Sequence, residues 1–371
     1  GGLGEIFTEV ELPGGNIIAA GEGGELIRSS DCGISWNFIG STGTEIVSAI
    51  DFRDAITGYA CGGNLVHRTT DGGINWEKIS EGNLEIRCIK SGRITVAVGG
   101  DEYSGRTDVL ISRIGSGFET AFTGWLGIAT SVTDDPAGRI HVSTSSGKIL
   151  SSTDEGFTWT VSEIYDQEIN CIHFRDSLTG FAGSNSGVVM RSQNGGSSWI
   201  ASYSGSSQRV LSVCSSGEMI FATGDEGVLS VSTDLGTSWE ALATGTSNSL
   251  NALVPLHDGS ILCLGEFGTV IRMFRRQYSS GHLFARQNNN ETASRNLAIL
   301  PGTDLEQNTG MPVLTEVYDL SGRLIISLRT DASHHDLKKI FAGNRLAYSG
   351  VYFVRSVSNK EITARKYVVI R

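Results

Sequence analysis

Carboxylates and aromatic rings recur between glycines at four places in this 371-residue chain: Gly21-Glu22-Gly23-Gly24, Gly99-Gly100-Asp101-Glu102-Tyr103-Ser104-Gly105-Arg106, Gly224-Asp225-Glu226-Gly227 and Gly265-Glu266-Phe267-Gly268. Gathered at one mouth, Glu22, Asp101, Glu102, Asp225, Glu226 and Glu266, with Tyr103, Phe267 and Arg106 among them, could hold a cation such as calcium, a basic segment of a partner, or a sugar. Trp125, Tyr165 and Tyr203 stand in other connections and would extend the aromatic lining. Two carboxylates facing one another about 5–9.5 Å apart would also suit glycoside hydrolysis. The plain alternative is a set of solvated turns, where Gly, Asp and Glu are at home.

Other chemistries lack their residues. No H-E-x-x-H, G-x-S-x-G or phosphate-binding glycine loop occurs, and the histidines at 67, 141, 173, 257, 282, 334 and 335 are scattered. The cysteines at 32, 61, 88, 171, 214 and 263 form no C-x-x-C and read as buried free thiols rather than a disulfide framework. No catalytic residue, metal site or cofactor is assigned on this basis.

The elements that position these residues are repeated. Ser152-Thr153-Asp154-Glu155-Gly156-Phe157-Thr158-Trp159 recurs around Asp31 and Trp36, Asp71 and Trp76, Asn194 and Trp199, and Asp234 and Trp239. The tryptophans are spaced by 40, 83, 40 and 40 residues, so the long gap holds two periods with one worn copy near Ser112 to Phe118. Such a period signals a propeller or solenoid array. Asp followed by Gly builds a tight turn, and the Trp opens the next strand and buries its ring between sheets. Each unit of about forty residues reads as four short strands, which divides residues 1–274 into seven blades. The last blade is closed either by the N-terminal residues or by a strand around 278–284. Arg28, Arg68, Arg191 and Arg272 share one register, which suits either an anion-binding ring or packing against the neighbouring blade.

The repeat matches S-x-D-x-G-x-x-W and resembles the Asp-box (BNR) repeat of β-propellers, in which the box is a folding device. The longer phrase F-x-D-x-x-T-G-Y/F-A-x-G, then R-T/S-x-D-G-G-x-x-W, is similar to propellers related to the photosystem II assembly and stability factor. The resemblance covers residues 5–274 and implies a protein-binding propeller without a catalytic centre. Sialidases share the box, but their Phe-Arg-Ile-Pro-type start is missing here.

Composition changes near residue 275. Residues 1–274 carry 15 Lys+Arg and 32 Asp+Glu; residues 275–371 carry 14 and 8. An acidic first part argues against nucleic acid, and no apolar run is long enough to span a membrane as a helix. Residues 275–296 read as a linker and 297–371 as a second domain, with strands expected at 313–319, 323–330, 350–358 and 362–371, and shorter ones near 297–300 and 334–340. Val317-Tyr318-Asp319-Leu320-Ser321-Gly322-Arg323, Gly350-Val351-Tyr352-Phe353-Val354-Arg355 and Arg365-Lys366-Tyr367-Val368-Val369-Ile370-Arg371 resemble the C-terminal sorting domain of the type IX (Por) secretion system. That resemblance implies a small β-sandwich, passage through the type IX export machinery, and a secreted or cell-surface location in a Gram-negative member of the Bacteroidota. Where relatives carry Pro-Asn-Pro, Leu300-Pro301-Gly302-Thr303 stands instead.

The expectation is therefore an all-β protein: a seven-bladed β-propeller followed by a small C-terminal β-sandwich. A monomer is expected that binds a protein or glycan through loops opposite the box turns. The alternative is a carbohydrate-active enzyme, a glycoside hydrolase or lyase, with paired carboxylates at the same mouth.

Overall fold

The structure is a computed structural model, and it describes residues 5–33, 35–113, 117–203, 207–257, 259–275, 283–288, 313–318, 324–330, 350–357 and 362–369. The chain divides into two compact units, Gly1–Asn289 and Asn290–Arg371. The described residues are almost wholly β-strand; the exceptions are two single 3-10 turns, Asp225–Gly227 and Glu266–Gly268. No helix is long and apolar enough to cross a membrane among the described residues.

The first unit is a seven-bladed β-propeller. Its seven four-stranded sheets span residues 6–41, 49–81, 85–124, 129–163, 169–203, 210–241 and 250–288, each antiparallel and in sequence order. Blade two illustrates the pattern, with strands Ala49–Phe52, Gly58–Gly62, Leu65–Thr69 and Glu77–Glu81. The first strands of successive blades touch around the ring, and those of blades one and seven meet. The outermost strand of blade seven is Leu283–Asn288, which falls inside the stretch expected as a linker. The C-terminal of the two expected closures is thus the one found, and no blade borrows a strand from another.

Both faces of each sheet are apolar, so each blade covers its neighbour. Blades one and seven share a cluster of Ile6, Ile17, Ala19 and Ile27 with Val254, Leu262 and Leu264. All six cysteines are unpaired. Burial pushes the thiols of Cys61, Cys88, Cys171, Cys214 and Cys263 up, that of Cys171 to about 12.

The turn ahead of each Trp is a closed hydrogen-bond circuit. Ser152 Oγ donates to Asp154 Oδ1 at 2.9 Å and accepts from Gly156 N at 2.8 Å. Asp154 then accepts from Thr158 N at 2.8 Å and Thr158 Oγ1 at 2.6 Å, and the Trp159 indole donates to Gly156 O at 3.1 Å. Asp31, Asp71 and Asp234 accept from their own turns in the same way, and Asn194 substitutes with its amide oxygen. The glycine lies at φ +81° in blade four, a region that penalises any side chain. It is also pressed against the preceding blade: a Cβ on Gly73 would meet Ile18 at 3.0 Å, one on Gly236 would meet Phe181 at 2.8 Å, and one on Gly33 would meet Leu262 at 2.8 Å. Trp76 and Trp199 meet Phe52 and Phe174 edge-on at 6.0 and 5.9 Å. The Trp36 indole nitrogen is buried without a partner.

Arginines tie the turns of blades two, four and six to the blade before them. Arg28 donates to Gly72 O, Arg113 to Glu155 O at 3.1 Å, and Arg191 to Thr237 Oγ1 at 2.9 Å. Of the four arginines sharing one register, Arg28 and Arg191 reach across in this way. Arg272 donates to Ser260 Oγ at 3.1 Å within its own blade, and Arg68 is exposed.

In the second unit, Val313–Tyr318, Leu324–Thr330, Gly350–Val357 and Ile362–Val369 form one antiparallel sheet with the second strand at its edge. The expected strands near 297–300 and 334–340 lie outside the described residues.

One inner-strand position breaks the apolar pattern. Ile50, Ile89, Val132, Ile172, Val213 and Leu253 occupy it in six blades; blade one has Glu9. Part of the Glu9 side chain stays accessible, but Oε2 is buried with no hydrogen-bond partner. Desolvation raises its carboxyl to about 8 from 4.5.

Stability should therefore respond to pH from both sides. Between 4.5 and about 8 the folded chain holds a Glu9 proton that the unfolded chain has lost, so stability falls as pH rises through that window. The turn carboxylates Asp71, Asp154 and Asp234 are held down at about 2 against 3.8 by bonds from their own turns, so their contribution is full above 3.8 and lost as pH falls toward 2. Replacing Glu9 with Ile should abolish the alkaline limb and stabilise the propeller by roughly 1–3 kcal/mol near neutral pH. Urea titrations at mildly acidic and mildly alkaline pH measure this, and an unchanged alkaline limb in E9I would refute the assignment. Asp154→Ala should lower the Tm and flatten the acid limb; a variant matching the parent in both would show that the turn circuit carries no stability.

Candidate functional site

An antiparallel meander sends its second-to-third loop and its link to the next blade to one end, and its first hairpin and third-to-fourth turn to the other. The turns before the tryptophans therefore mark one face of the disc, and the mouth residues the opposite one. At the mouth, the residue opening a second-to-third loop donates its N–H to the residue preceding the inner strand. Glu22 bonds Glu5 O at 3.0 Å, Asn185 bonds Glu168 O at 3.0 Å, Asp225 bonds Arg209 O at 3.3 Å and Glu266 bonds Ser249 O at 3.0 Å. Each such bond delivers two neighbouring side chains to the rim of the central channel.

The join of blades six, seven and one becomes acidic in this way. Burial raises the Glu5 carboxyl, a hydrogen bond from Asn251 lowers it, and the charges of Glu266 and Glu22 raise it further. Glu22 and Glu266 therefore both act on Glu5. Asn251 Nδ2 also donates to Ile6 O at 2.9 Å, pinning blade seven to blade one beneath them. Arg209 is the cation beside them. It forks onto Asp225, Nε to Oδ2 at 2.6 Å and Nη2 to Oδ1 at 3.0 Å, and that pairing raises its pKa. Glu226 accepts from Gln208 Nε2 at 2.8 Å, and Glu266 accepts from Ser249 N at 3.0 Å. Glu226 and Phe267 sit at φ 54° and 53° in matching 3-10 turns, which leaves the Phe267 ring 75% exposed.

Blade three supplies a second group. Asp101 caps its own loop, accepting from Ser104 Oγ at 2.9 Å and Tyr103 N at 3.0 Å, and these bonds lower its pKa in that order. Glu102 lies 3.5 Å from Arg87, which also pairs with Glu85 at 3.1 Å. Arg106 is committed to the buried Asp108 at 2.9 Å. Tyr103 is fully exposed and Trp125 is 69% exposed. Their two segments are joined by Gly127 N donating to Gly105 O at 3.0 Å.

The expected site residues thus separate by role. Glu22, Tyr103, Trp125 and Phe267 present groups to the mouth. Asp101, Glu102, Arg106, Asp225, Glu226 and Glu266 are engaged within their own loops or with a neighbour. Tyr165 is half-buried, its hydroxyl 3.0 Å from Ser186 Oγ. For Tyr203 only the backbone is described, paired with Val188. Glu5, Glu168 and Arg209 belong to the mouth although the loop pattern did not single them out. Their signal is positional: each immediately precedes the Ile or Val that opens an inner strand. A general acid needs a raised pKa, and Asp101 moves the other way. Among the described residues no group of three or more His, Cys, Asp or Glu is arranged to hold a metal ion.

No protein-family model and no curated protein matches the chain. Among solved structures it is similar to YCF48 bound to D1 peptide, with 16% identity and a TM-score of 0.59 over 73% of this chain and 93% of that one. YCF48 from Cyanidioschyzon merolae gives 17% and 0.59 over 72% and 95%. The WD40 β-propeller domain of Doa1 gives 11% and 0.61 over 76% and 95%. At these identities the likeness establishes the propeller fold.

Proposed function

We propose that the propeller is a protein-binding module that takes an extended basic segment of a partner across its mouth. The observation that carries this reading is the gathering of Glu22 and Glu266 around Glu5, whose carboxyl is lifted by burial and then by their two charges, a crowding that a cationic side chain would relieve. The exposed rings of Tyr103, Trp125 and Phe267 supply apolar anchors around it, the residue types that dominate protein-binding energies. A structural neighbour bound to a peptide supports the use of this fold for such a partner. The resemblance of residues 297–371 to a sorting domain supports export by a type IX-like route to the surface of a Gram-negative cell. A glycan is the competing ligand for the same rings.

Fluorescence anisotropy with lysine-rich and arginine-rich peptides tests the mouth. Binding should weaken as salt rises. Glu22→Gln with Glu266→Gln should reduce affinity roughly 3–20-fold, and Trp125→Ala roughly tenfold or more. Equal affinity for acidic peptides, or binding confined to neutral oligosaccharides, would reject the reading. Export is tested separately: a chain lacking residues 297–371 should fail to reach the cell surface, and its normal display would remove the sorting role.

A further inference from the structure

The turn before Trp199 differs from its counterparts at the side chain that holds it. Asp31, Asp71, Asp154 and Asp234 present a carboxylate where blade five presents the amide of Asn194, and Asn194-Gly195 is the chain's only Asn-Gly pair. With no Cβ on Gly195, its backbone nitrogen has an open path to the side-chain carbonyl of Asn194. Attack along that path closes a succinimide ring: the nitrogen bonds to Cγ, and its proton leaves with the amide nitrogen as ammonia. Water then opens the ring, giving its hydroxyl to a carbonyl carbon and its other proton to the nitrogen. Opening at Cγ leaves Asp; opening at the main-chain carbonyl leaves isoaspartate, with an extra carbon in the backbone.

The fold holds the two reacting groups apart. Gly195 N donates to Leu178 O at 2.8 Å, in the first hairpin of the same blade. Asn194 Oδ1 accepts from Ser198 N at 2.9 Å and Ser192 Oγ at 3.0 Å, and Nδ2 donates to Ser198 Oγ at 2.8 Å. These bonds must part before the nitrogen reaches Cγ. Asn194 is itself exposed, so water reaches it directly.

The same circuit accommodates one product and refuses the other. In blade six Asp234 Oδ1 accepts from Ser238 N at 2.8 Å and Ser232 Oγ at 2.8 Å, and Oδ2 accepts from Ser238 Oγ at 2.6 Å. An aspartate at position 194 meets the same three kinds of donor once the Ser198 hydroxyl turns from acceptor to donor. A carboxylate takes such bonds more strongly than an amide. The extra carbon of isoaspartate would push Gly195 off Leu178 and shift Gly196, where even a Cβ would stand 3.3 Å from His141.

We propose that Asn194 is a site of spontaneous deamidation guarded by its turn: the folded chain keeps the amide, an opening of the turn releases it to the succinimide, and only the Asp product closes the turn again. The change runs one way, because ammonia is lost, and it brings blade five to the form of the other carboxylate turns. It is independent of the mouth and of the function proposed for it.

Peptide mapping by mass spectrometry, on the full chain aged at mildly alkaline pH, tests this. A gain of about one mass unit at Asn194 should accumulate at least about tenfold more slowly in the folded chain than in guanidinium chloride. Ser198→Ala, at an exposed position, and Ser192→Ala each remove part of the guard and should speed the folded rate roughly threefold. When chain aged in denaturant is refolded, Asp should be enriched over isoaspartate in the folded fraction. Asn194→Asp, which carries the product from the start, should melt at or above the parent's Tm. Equal rates in the folded and unfolded chain, an amide that survives in denaturant, equal recovery of isoaspartate and Asp on refolding, or an Asn194→Asp chain that melts below the parent would overturn the proposal.

Discussion

A sheet with apolar residues on both faces has no stable existence in water until each face is covered, and in a ring the cover is the next sheet. The close approach that this demands is made, in blades one, two, five and six, where the glycine of the turn before Trp meets the previous blade's second strand. Leu262, Ile18, His141 and Phe181 stand there in turn, and a Cβ on the glycine would fall 2.8 to 3.3 Å from them. The Ser or Thr hydroxyl and the Asp or Asn side chain exist to hold that glycine in its left-handed conformation. They are consumed in doing so, which is why five repeated acidic or amide residues contribute no open ligand group.

The division of labour between the two faces follows from the same geometry. Hydrogen-bonded turns and crossing arginines bind blade to blade on one side of the disc. On the other side glycine-rich loops carry carboxylates, and charges of one sign gather at the join of blades six, seven and one. Glu5 sits with Glu22 and Glu266 there, and its carboxylate takes a hydrogen bond from Asn251 of blade seven at 3.3 Å. Where a mouth residue is needed for its loop, as Asp101 is by Ser104 and Tyr103, its pKa falls and it ceases to be available.

Much of this was legible in the chain. The tryptophan spacing revealed seven blades, including the worn third copy, because a period of forty residues survives the loss of one signature. Glu22, Glu266, Tyr103 and Trp125 were legible as mouth residues because Gly-rich loops mark their own positions. Asp225 and Arg106 were expected among the ligand candidates of the mouth, and their partners, Arg209 and Asp108, become visible only when strands pair. Glu5 and Arg209 escaped notice because a single residue before a strand has no pattern until seven strand starts are superposed. The closing strand Leu283–Asn288 begins inside the strand expected around 278–284 and runs on through polar residues, where its partner strand, not its composition, defines it.

Every ladder of the propeller joins residues of one blade, so the chain's secondary structure is local throughout. The contacts that make it a ring are different in kind: Asn251 reaches Ile6 across 245 positions of sequence. Loop-closure entropy makes such a contact the costliest to form. The seam between blades one and seven is also where Glu9 lies uncompensated. One of the most sequence-distant contacts and the one acidic residue of that inner-strand position thus share a seam, so the proton on Glu9 bears on how firmly the ring stays closed.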